Sequence, residues 1–285
     1  MFNATHFSYD GVYSGLYGLL IASFDSDTVD NTFAFAPTVK TVKSAKRNRF
    51  SFAGIEYEET PEFAFSVICP DVIPDILRRE ILTWLVGRKG FKRLQIHQPD
   101  YDGYEYNCIF SGAEIIYVNG NCHGFNLTAT FDSPYCYGKP KKQRIKGNGD
   151  EIRIKVINES DIIDDYVYPI VKFSVKAPFI DGGVQKEISI INLNDPADPS
   201  GIRAFEFSGL FENDIITHLD DVTVDNELKI ITKSAHGDNA IIPGADLLSR
   251  FNKNWLRFKR GVNELKIRIN GEIYIETPAY ILIGF

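Results

Sequence analysis

Residues 74–90, PDILRREILTWLVGRKG, place apolar side chains three and four apart, in a chain whose other apolar runs alternate with period two. This spacing predicts one amphipathic helix in an otherwise β-rich chain. Ile73, Ile76, Leu77, Ile81, Trp84 and Leu85 are assigned to its apolar face, and Ile76, Leu77, Ile81, Trp84 and Leu85 to the core. Arg78, Arg79, Glu80 and Thr83 take the other face. Pro74 suits the first helical position, where its missing N–H is not needed. Gly87 suits a left-handed C-terminal residue, with Arg88 and Lys89 beside the negative helix end. An apolar face this wide, with a tryptophan in it, requires a large partner, and the neighbouring sequence offers only a sheet.

Strands are expected on both sides of the helix. Before it stand YGLLIASF, TFAFAPTVK, FSFAGIEYEE and EFAFSVICP. After it stand RLQIHQ, YEYNCIF, AEIIYVNG and HGFNLTATF. Residues 41–49 are basic and poor in large apolar side chains, which reads as an exposed loop or hairpin tip. With 21 Phe and 14 Tyr against one Met, the composition favours pleated, half-buried surfaces. Residues 139–150 are polar, basic and Gly-containing, which is linker chemistry. The chain therefore divides into an N-terminal domain over residues 1–138, a linker over 139–150 and a C-terminal domain over 151–285. Short strands recur in the last part, including IRIKVIN, YPIVKFSVKA, KEISIIN and NELKIRIN, with a short helical turn at PGADLLSRF. This is the pattern of a β-sandwich or jelly roll.

The residues carry little catalytic chemistry. No GxSxG, P-loop, HExxH or dinucleotide glycine fingerprint occurs, and the five histidines are scattered. No cofactor or metal is expected, and no enzyme. Asp25, Asp27 and Asp30 resemble the start of a calcium loop but lack its central Gly and closing Glu, so they read as a turn. Asp220, Asp221 and Asp225 read as turn residues between strands. The basic run at 139–146 reads as a solvated linker. Net charge is −7 and pI about 5.3, which argues against a dedicated nucleic-acid binder. The four cysteines form no C-x-x-C pair and read as buried free thiols. No apolar run is long enough for a membrane span, so no insertion is expected.

The order of segments around the helix resembles the phage distal tail protein (Dit) family. The residues carrying the resemblance are Arg78, Ile81, Trp84 and Leu85 on the helix, the closing Asp132-Ser133-Pro134-Tyr135, and Gly261, Asn263 and Leu265 in a later turn. The resemblance implies a mainly β fold: an N-terminal ring-forming β-sandwich with one packed helix, then a galectin-like jelly roll. It implies a structural virion protein forming a ring, usually a hexamer, at the distal end of a tail. Its partners would be its own copies, the tail tube protein, the tip hub protein and receptor-binding or other baseplate proteins. The genome would cross the channel without specific binding, past an acidic surface. Arg78, Arg79, Arg88 and Lys89 are then candidate subunit-interface residues, and Lys43, Lys46, Arg47 and Arg49 a candidate partner-binding loop. The alternative is a carbohydrate-binding tail module. Against it, the His-x-Asn-Pro-Arg strand of sugar-binding galectins is absent, and Trp255 stands alone.

Overall fold

The computed structural model describes residues 5–24, 38–43, 49–56, 62–98, 103–163, 165–195, 203–212, 215–217, 220–235 and 242–282. The chain is mainly β and divides into two compact units, Met1–Gly138 with Leu282–Phe285, and Lys139–Ile281. The first holds strands β1 (His6–Tyr9), β2 (Val12–Tyr13), β3 (Leu20–Phe24), β4 (Thr38–Lys43), β5 (Phe50–Glu56), β6 (Glu62–Ile68), β7 (Lys92–His97), β8 (Tyr106–Val118) and β9 (Asn121–Phe131). Seven of these form an antiparallel sheet in the order β2-β1-β7-β8-β9-β6-β3, and among the described residues β4 and β5 pair only with each other.

Alternation decides which face of the sheet is apolar. Phe7, Tyr9, Leu94, Ile96, Phe110, Phe65, Val67, Leu127 and Ala129 are all buried. The residues between them are polar and bond across strands: Ser66 Oγ donates to Asn126 Oδ1 (2.7 Å), and Thr130 Oγ1 lies 2.9 Å from both Glu62 and Ser111. Helix α1 (Asp75–Leu85) packs through Trp84, whose indole stacks on Phe7 (5.8 Å, 8° between planes) and tilts against Tyr17 (5.1 Å). Trp84 Nε1 also donates to the Tyr9 carbonyl at 2.9 Å.

Three details of this helix differ from the sequence expectation. Ile81, Trp84 and Leu85 are buried, but Ile76 is 78% exposed. At about 100° per residue, Ile76 sits roughly 120° from the centre of the buried face, beyond the apolar stripe. Pro74 is the residue before the helix (φ −63°, ψ 155°), and Asp75 opens it. Gly87 is not left-handed, since the residue closing the helix, Val86, is still right-handed (φ −101°, ψ −19°). A Cβ on Gly87 would lie 2.5 Å from the Thr83 carbonyl oxygen, so close approach, not handedness, selects glycine there. Gly87→Ala is expected to lower stability by about 1–3 kcal/mol through overpacking against backbone. Urea denaturation would read this as a lower midpoint, and an unchanged midpoint would show that the helix end shifts freely.

The second unit holds β10 (Cys136–Asn158), β11 (Ile170–Val175), β12 (Phe179–Asp181), β13 (Val184–Lys186), β14 (Ile188–Asn192), β15 (Ala204–Phe207), β16 (Asp220–Asp225), β17 (Ile230–Ala235), β18 (Ile242–Pro243) and β19 (Gly261–Ile281), with helix α2 (Ala245–Leu248). The main sheet has eight strands, ordered β15-β14-β19-β11-β16-β17-β18, with β10 also on β19. Strand β19 organises it: residues 265–269 pair with β14, and 271–276 with β11. At Gly271 (φ +156°), a Cβ would sit 2.1 Å from the Ser174 carbonyl, so only glycine lets the strands approach there. A continuous core includes Val171, Phe173, Phe205, Phe207, Phe258, Ile267 and Ile273.

Residues 139–150, expected as a linker, are extended strand within β10. Four of their five cations are matched by carboxylates: Lys141 pairs with Glu159, Lys142 with Glu276 (3.0 Å), and Arg144 and Lys146 with Glu272 (2.8 and 3.5 Å). Asp220, Asp221 and Asp225 belong to β16 itself and do not form a turn. Two of them also serve turns: Asp225 accepts from the Glu227 and Leu228 amides, and Asp220 Oδ2 accepts from the Thr217 amide at 2.7 Å.

Candidate functional site

The chemistry in this chain is that of surfaces and structural knots. Among the described residues no group of three His, Cys, Asp or Glu side chains could hold a metal ion. The four cysteines are free; Cys108, Cys122 and Cys136 are buried and Cys69 partly so. Burial pushes the Cys108 thiol well above the usual range and Tyr9 up to about 12. Both groups therefore stay neutral and form part of the core.

The motif residues have structural roles. Asp132 accepts hydrogen bonds from Asn107 Nδ2 (3.0 Å) and the Tyr137 hydroxyl (2.9 Å), joining the end of β9 to β8. Ser133 Oγ accepts from the Tyr135 amide. Asn263 is fully buried. Its Nδ2 donates to the Lys259 and Gly261 carbonyls, and its Oδ1 accepts from the Lys259 amide and Asn192 Nδ2. Gly261 supplies a left-handed backbone (φ +91°) and Leu265 a buried side chain, so the Gly-x-Asn-x-Leu pattern is a turn that starts β19.

Around Trp255, the Asp195 side chain is almost fully buried. It receives Arg257 in a two-point contact (2.9 and 3.0 Å) and Arg203 at 3.5 Å. The Arg257 guanidinium also lies 3.9 Å over the Tyr166 ring. The hydrogen bond to Asp195 raises the Arg257 pKa further, which fixes its charge. Trp255 packs edge-on to Phe251 at 4.8 Å. The space between these residues is a small cleft bordered by the saturated Arg–Asp–Arg cluster. It is a packed joint rather than a stacking platform for a sugar.

The residues assigned to an interface divide in two. Arg78 pairs with Asp75 on its own helix (3.0 Å), and Arg88 Nε lies 3.2 Å from Asp10, at the β1–β2 turn. Arg79 and Lys89 are exposed. The outer side of α1, lined by Asp75, Arg78, Arg79, Leu82, Thr83, Val86 and Gly87, forms a shallow open depression. In the candidate loop, Lys43 lies on β4 with its ammonium 5.7 Å over the Phe50 ring, and Arg49 precedes β5, exposed. Lys46 and Arg47 lie outside the described residues.

The ribbon these residues flank carries a surface that sequence reasoning missed. Val39, Val42, Phe50 and Phe52 are between 56% and 68% exposed. Thr41 faces Phe52, and Lys43 faces Phe50. Alternation in FSFAG identifies the strand; the exposure of these side chains is not legible in that spacing.

A second exposed apolar group lies at one end of the seven-stranded sheet. Hydrogen bonds from the Cys69 amide to the His123 carbonyl and from the Ile73 amide to the Cys122 carbonyl bring residues 68–76 alongside the β8–β9 turn. Ile68, Val72 and Ile76 on this segment and Tyr117 and Val118 at the end of β8 are exposed, as are Asp71, Asp75 and Glu114.

Comparison with known proteins gives these surfaces a context. Residues 2–133 match the family model described as a phage tail protein N-terminal domain. The fold is similar along nearly its whole length to the Dit protein of phage SPP1, described as a paradigm of the hub adsorption apparatus in phages infecting Gram-positive bacteria. That match has a TM-score of 0.62 and 16% identity, over 98% of this chain and 99% of that one. It is also similar to a chain of the phage P2 baseplate in its activated, calcium-containing conformation. There the TM-score is 0.51 and the identity 8%, over 92% and 90% of the two chains. No curated protein sequence matches. The resemblance read from the sequence therefore stands: a phage-tail family model over the first unit, and the fold of a Dit protein over both.

Proposed function

We propose that the chain is a structural, non-enzymatic component of a phage tail tip, assembled as a ring, a hexamer in the manner the sequence resemblance implies, at the distal end of the tail tube. The observation that carries this reading is coverage. Both units, in the same order, match the SPP1 protein over almost all of both chains, which a shared sheet alone would not produce. In this reading the ring joins the tube to the tip hub, and the second unit anchors receptor-binding or other baseplate proteins. The genome passes through the channel without specific binding; the acidic net charge of −7 suits a surface that DNA must slide past. Arg79 on α1 and Lys89 just after it, free of the ion pairs that hold Arg78 and Arg88, are the cations best placed to meet a neighbouring copy.

A ring of identical copies needs head-to-tail contacts between two different surfaces of each copy. Native mass spectrometry and negative-stain microscopy of the full chain test the reading. The expected result is a closed ring, alone or on addition of the tube and hub proteins from the same phage. A monomer at every concentration, with and without them, would overturn it. The carbohydrate-binding alternative gains no support, because Trp255 is packed on Phe251 and the cleft beside it is filled by Arg203, Asp195 and Arg257.

A further inference from the structure

We infer that His6 on β1 and His97 on β7 form a two-imidazole site for a divalent transition cation of the Ni2+ or Zn2+ class, on the polar face of the seven-stranded sheet. The site belongs to a single copy and does not depend on the ring reading.

Strand register brings the two histidines together. In the antiparallel β1–β7 pair His6 stands opposite His97, Phe7 opposite Ile96, Ser8 opposite Gln95 and Tyr9 opposite Leu94. Phe7, Tyr9, Leu94 and Ile96 are buried in the core. Alternation therefore puts His6, Ser8, Gln95 and His97 together on the other face, where each is partly buried. Side chains directly opposite in an antiparallel pair have Cβ atoms about 4.5–5.5 Å apart. Two imidazoles on such a base can reach one cation at the usual metal–nitrogen distance of about 2.0–2.1 Å. Tyr13, opposite Ser8 on β2, touches both rings. It stacks on His6 (5.1 Å between centroids) and meets His97 edge-on (5.5 Å). The two imidazoles thus share one small patch under a common tyrosine.

The hydrogen bonds around the rings leave one nitrogen of each for a ligand. The Thr5 hydroxyl lies 2.9 Å from His6 Nδ1, and the Ser8 hydroxyl 2.7 Å from His97 Nε2. A hydroxyl that accepts the N–H of a neutral imidazole fixes the tautomer and puts the lone pair on the other nitrogen, which is how outer-shell partners act at metal sites. Among the described residues His6 Nε2 and His97 Nδ1 have no hydrogen-bond partner. Arg93, on the same face of β7, is held by Glu105. Imidazole suits Ni2+, Cu2+ and Zn2+, whereas Mg2+ and Ca2+ take oxygen ligands. With two protein nitrogens and water in the remaining positions, the site is open and exchangeable, unlike a closed four-ligand structural site. A cation held there ties β1 to β7 and, by binding the folded state, stabilises the first unit.

Isothermal titration of the untagged full chain with Ni2+, in a buffer that does not bind metals, tests the site. The expected result is one Ni2+ per chain, no heat from Ca2+, and a melting temperature that rises when Ni2+ is added. His6→Gln and His97→Gln are each expected to weaken binding at least about 10-fold, the lower end of the loss from removing even an outer-shell partner, and to remove the rise in melting temperature. Both side chains are only partly buried, so the metal-free melting temperatures are expected to stay close to that of the wild type. That measurement separates loss of a ligand from loss of the fold. His123→Gln and Cys69→Ser, which alter an imidazole and a thiol elsewhere in the first unit, are expected to bind Ni2+ as the wild type does. Binding that is unchanged in either His6→Gln or His97→Gln would overturn the site. So would binding lost in His123→Gln or Cys69→Ser, or no binding by the wild type at millimolar Ni2+.

Discussion

Trp84→Ala is expected to destabilise the first unit by about 3–5 kcal/mol, the range for truncating a large buried aromatic side chain. Trp84 is 4% exposed and contacts Phe7, Tyr9 and Tyr17, so its removal leaves a void against three aromatic neighbours. It also leaves the Tyr9 carbonyl without the indole N–H that reaches it at 2.9 Å. An unsatisfied buried acceptor costs about 1–3 kcal/mol. Small domains are stable by about 5–15 kcal/mol in total, so this single change consumes much of the margin. Trp84→Phe separates the two parts: it keeps most of the apolar contact and loses the hydrogen bond, and is expected to cost about half as much. All four cysteines precede residue 139 and three are buried, so thiol labelling in urea reports the opening of this unit specifically. The midpoint of labelling is expected to fall steeply for Trp84→Ala. A loss below about 1 kcal/mol would mean that α1 is an accessory to the sheet rather than part of its core.

The same helix shows what the sequence specifies and what it does not. Its existence and the burial of Ile81, Trp84 and Leu85 follow from local spacing, because a period of 3.6 places those side chains on one stripe whatever lies opposite. Ile76 fits the spacing only as a near neighbour, and its exposure follows from its angle to that stripe. Long-range pairing is harder to read. The cations of residues 139–146 look like a solvated run until Glu272 and Glu276 are brought beside them by β19, more than 120 residues later. Arg88 looks free until its approach to Asp10 is seen. Asp220 and Asp221 look like turn residues because a strand that opens on two acids has no local signature; Lys172, on the neighbouring β11, pairs with Asp221 at 3.0 Å. The ribbon shows the converse. Its strand β5 is legible in FSFAG, but the exposure of Phe50 and Phe52 depends on what packs over them, which local spacing does not specify.

Glu187→Gln is expected to stabilise the second unit at pH 8 by about 3 kcal/mol and to have almost no effect at pH 4. Glu187 lies between β13 and β14, fully buried; among the described residues no cation pairs with its carboxylate, which only the backbone amides of Gly209 and Leu210 approach. Its backbone amide donates to the Phe207 carbonyl, which holds the residue in place and leaves the side chain no route to solvent. Burial pushes its pKa up to about 7. The nearby Glu212 carboxylate, itself held by Arg250, adds to the shift, while the backbone amides of Gly209 and Leu210 offset part of it. Other charged groups at this edge are already engaged: Lys186 bridges Asp181 (3.1 Å) and Glu206 (2.8 Å). The sign follows from proton binding. The folded state holds this proton more tightly than the unfolded chain, whose glutamate titrates near 4.5, so stability is greatest below pH 4.5 and declines as pH rises towards 7. Above 7 the decline is complete, and its size follows from about 1.4 kcal/mol per pKa unit. Glutamine keeps the shape and is neutral throughout, so the two curves are expected to separate between pH 4.5 and 7 and to run parallel above it. Thermal unfolding from pH 4 to 9 measures this, with about 2–4 °C of melting temperature expected per kcal/mol. A difference independent of pH would show that Glu187 is neutral or paired throughout. A lower melting temperature for the variant at pH 8 would show that the carboxylate has a partner in the folded protein, since removing a paired charge destabilises whereas removing a stranded one does not.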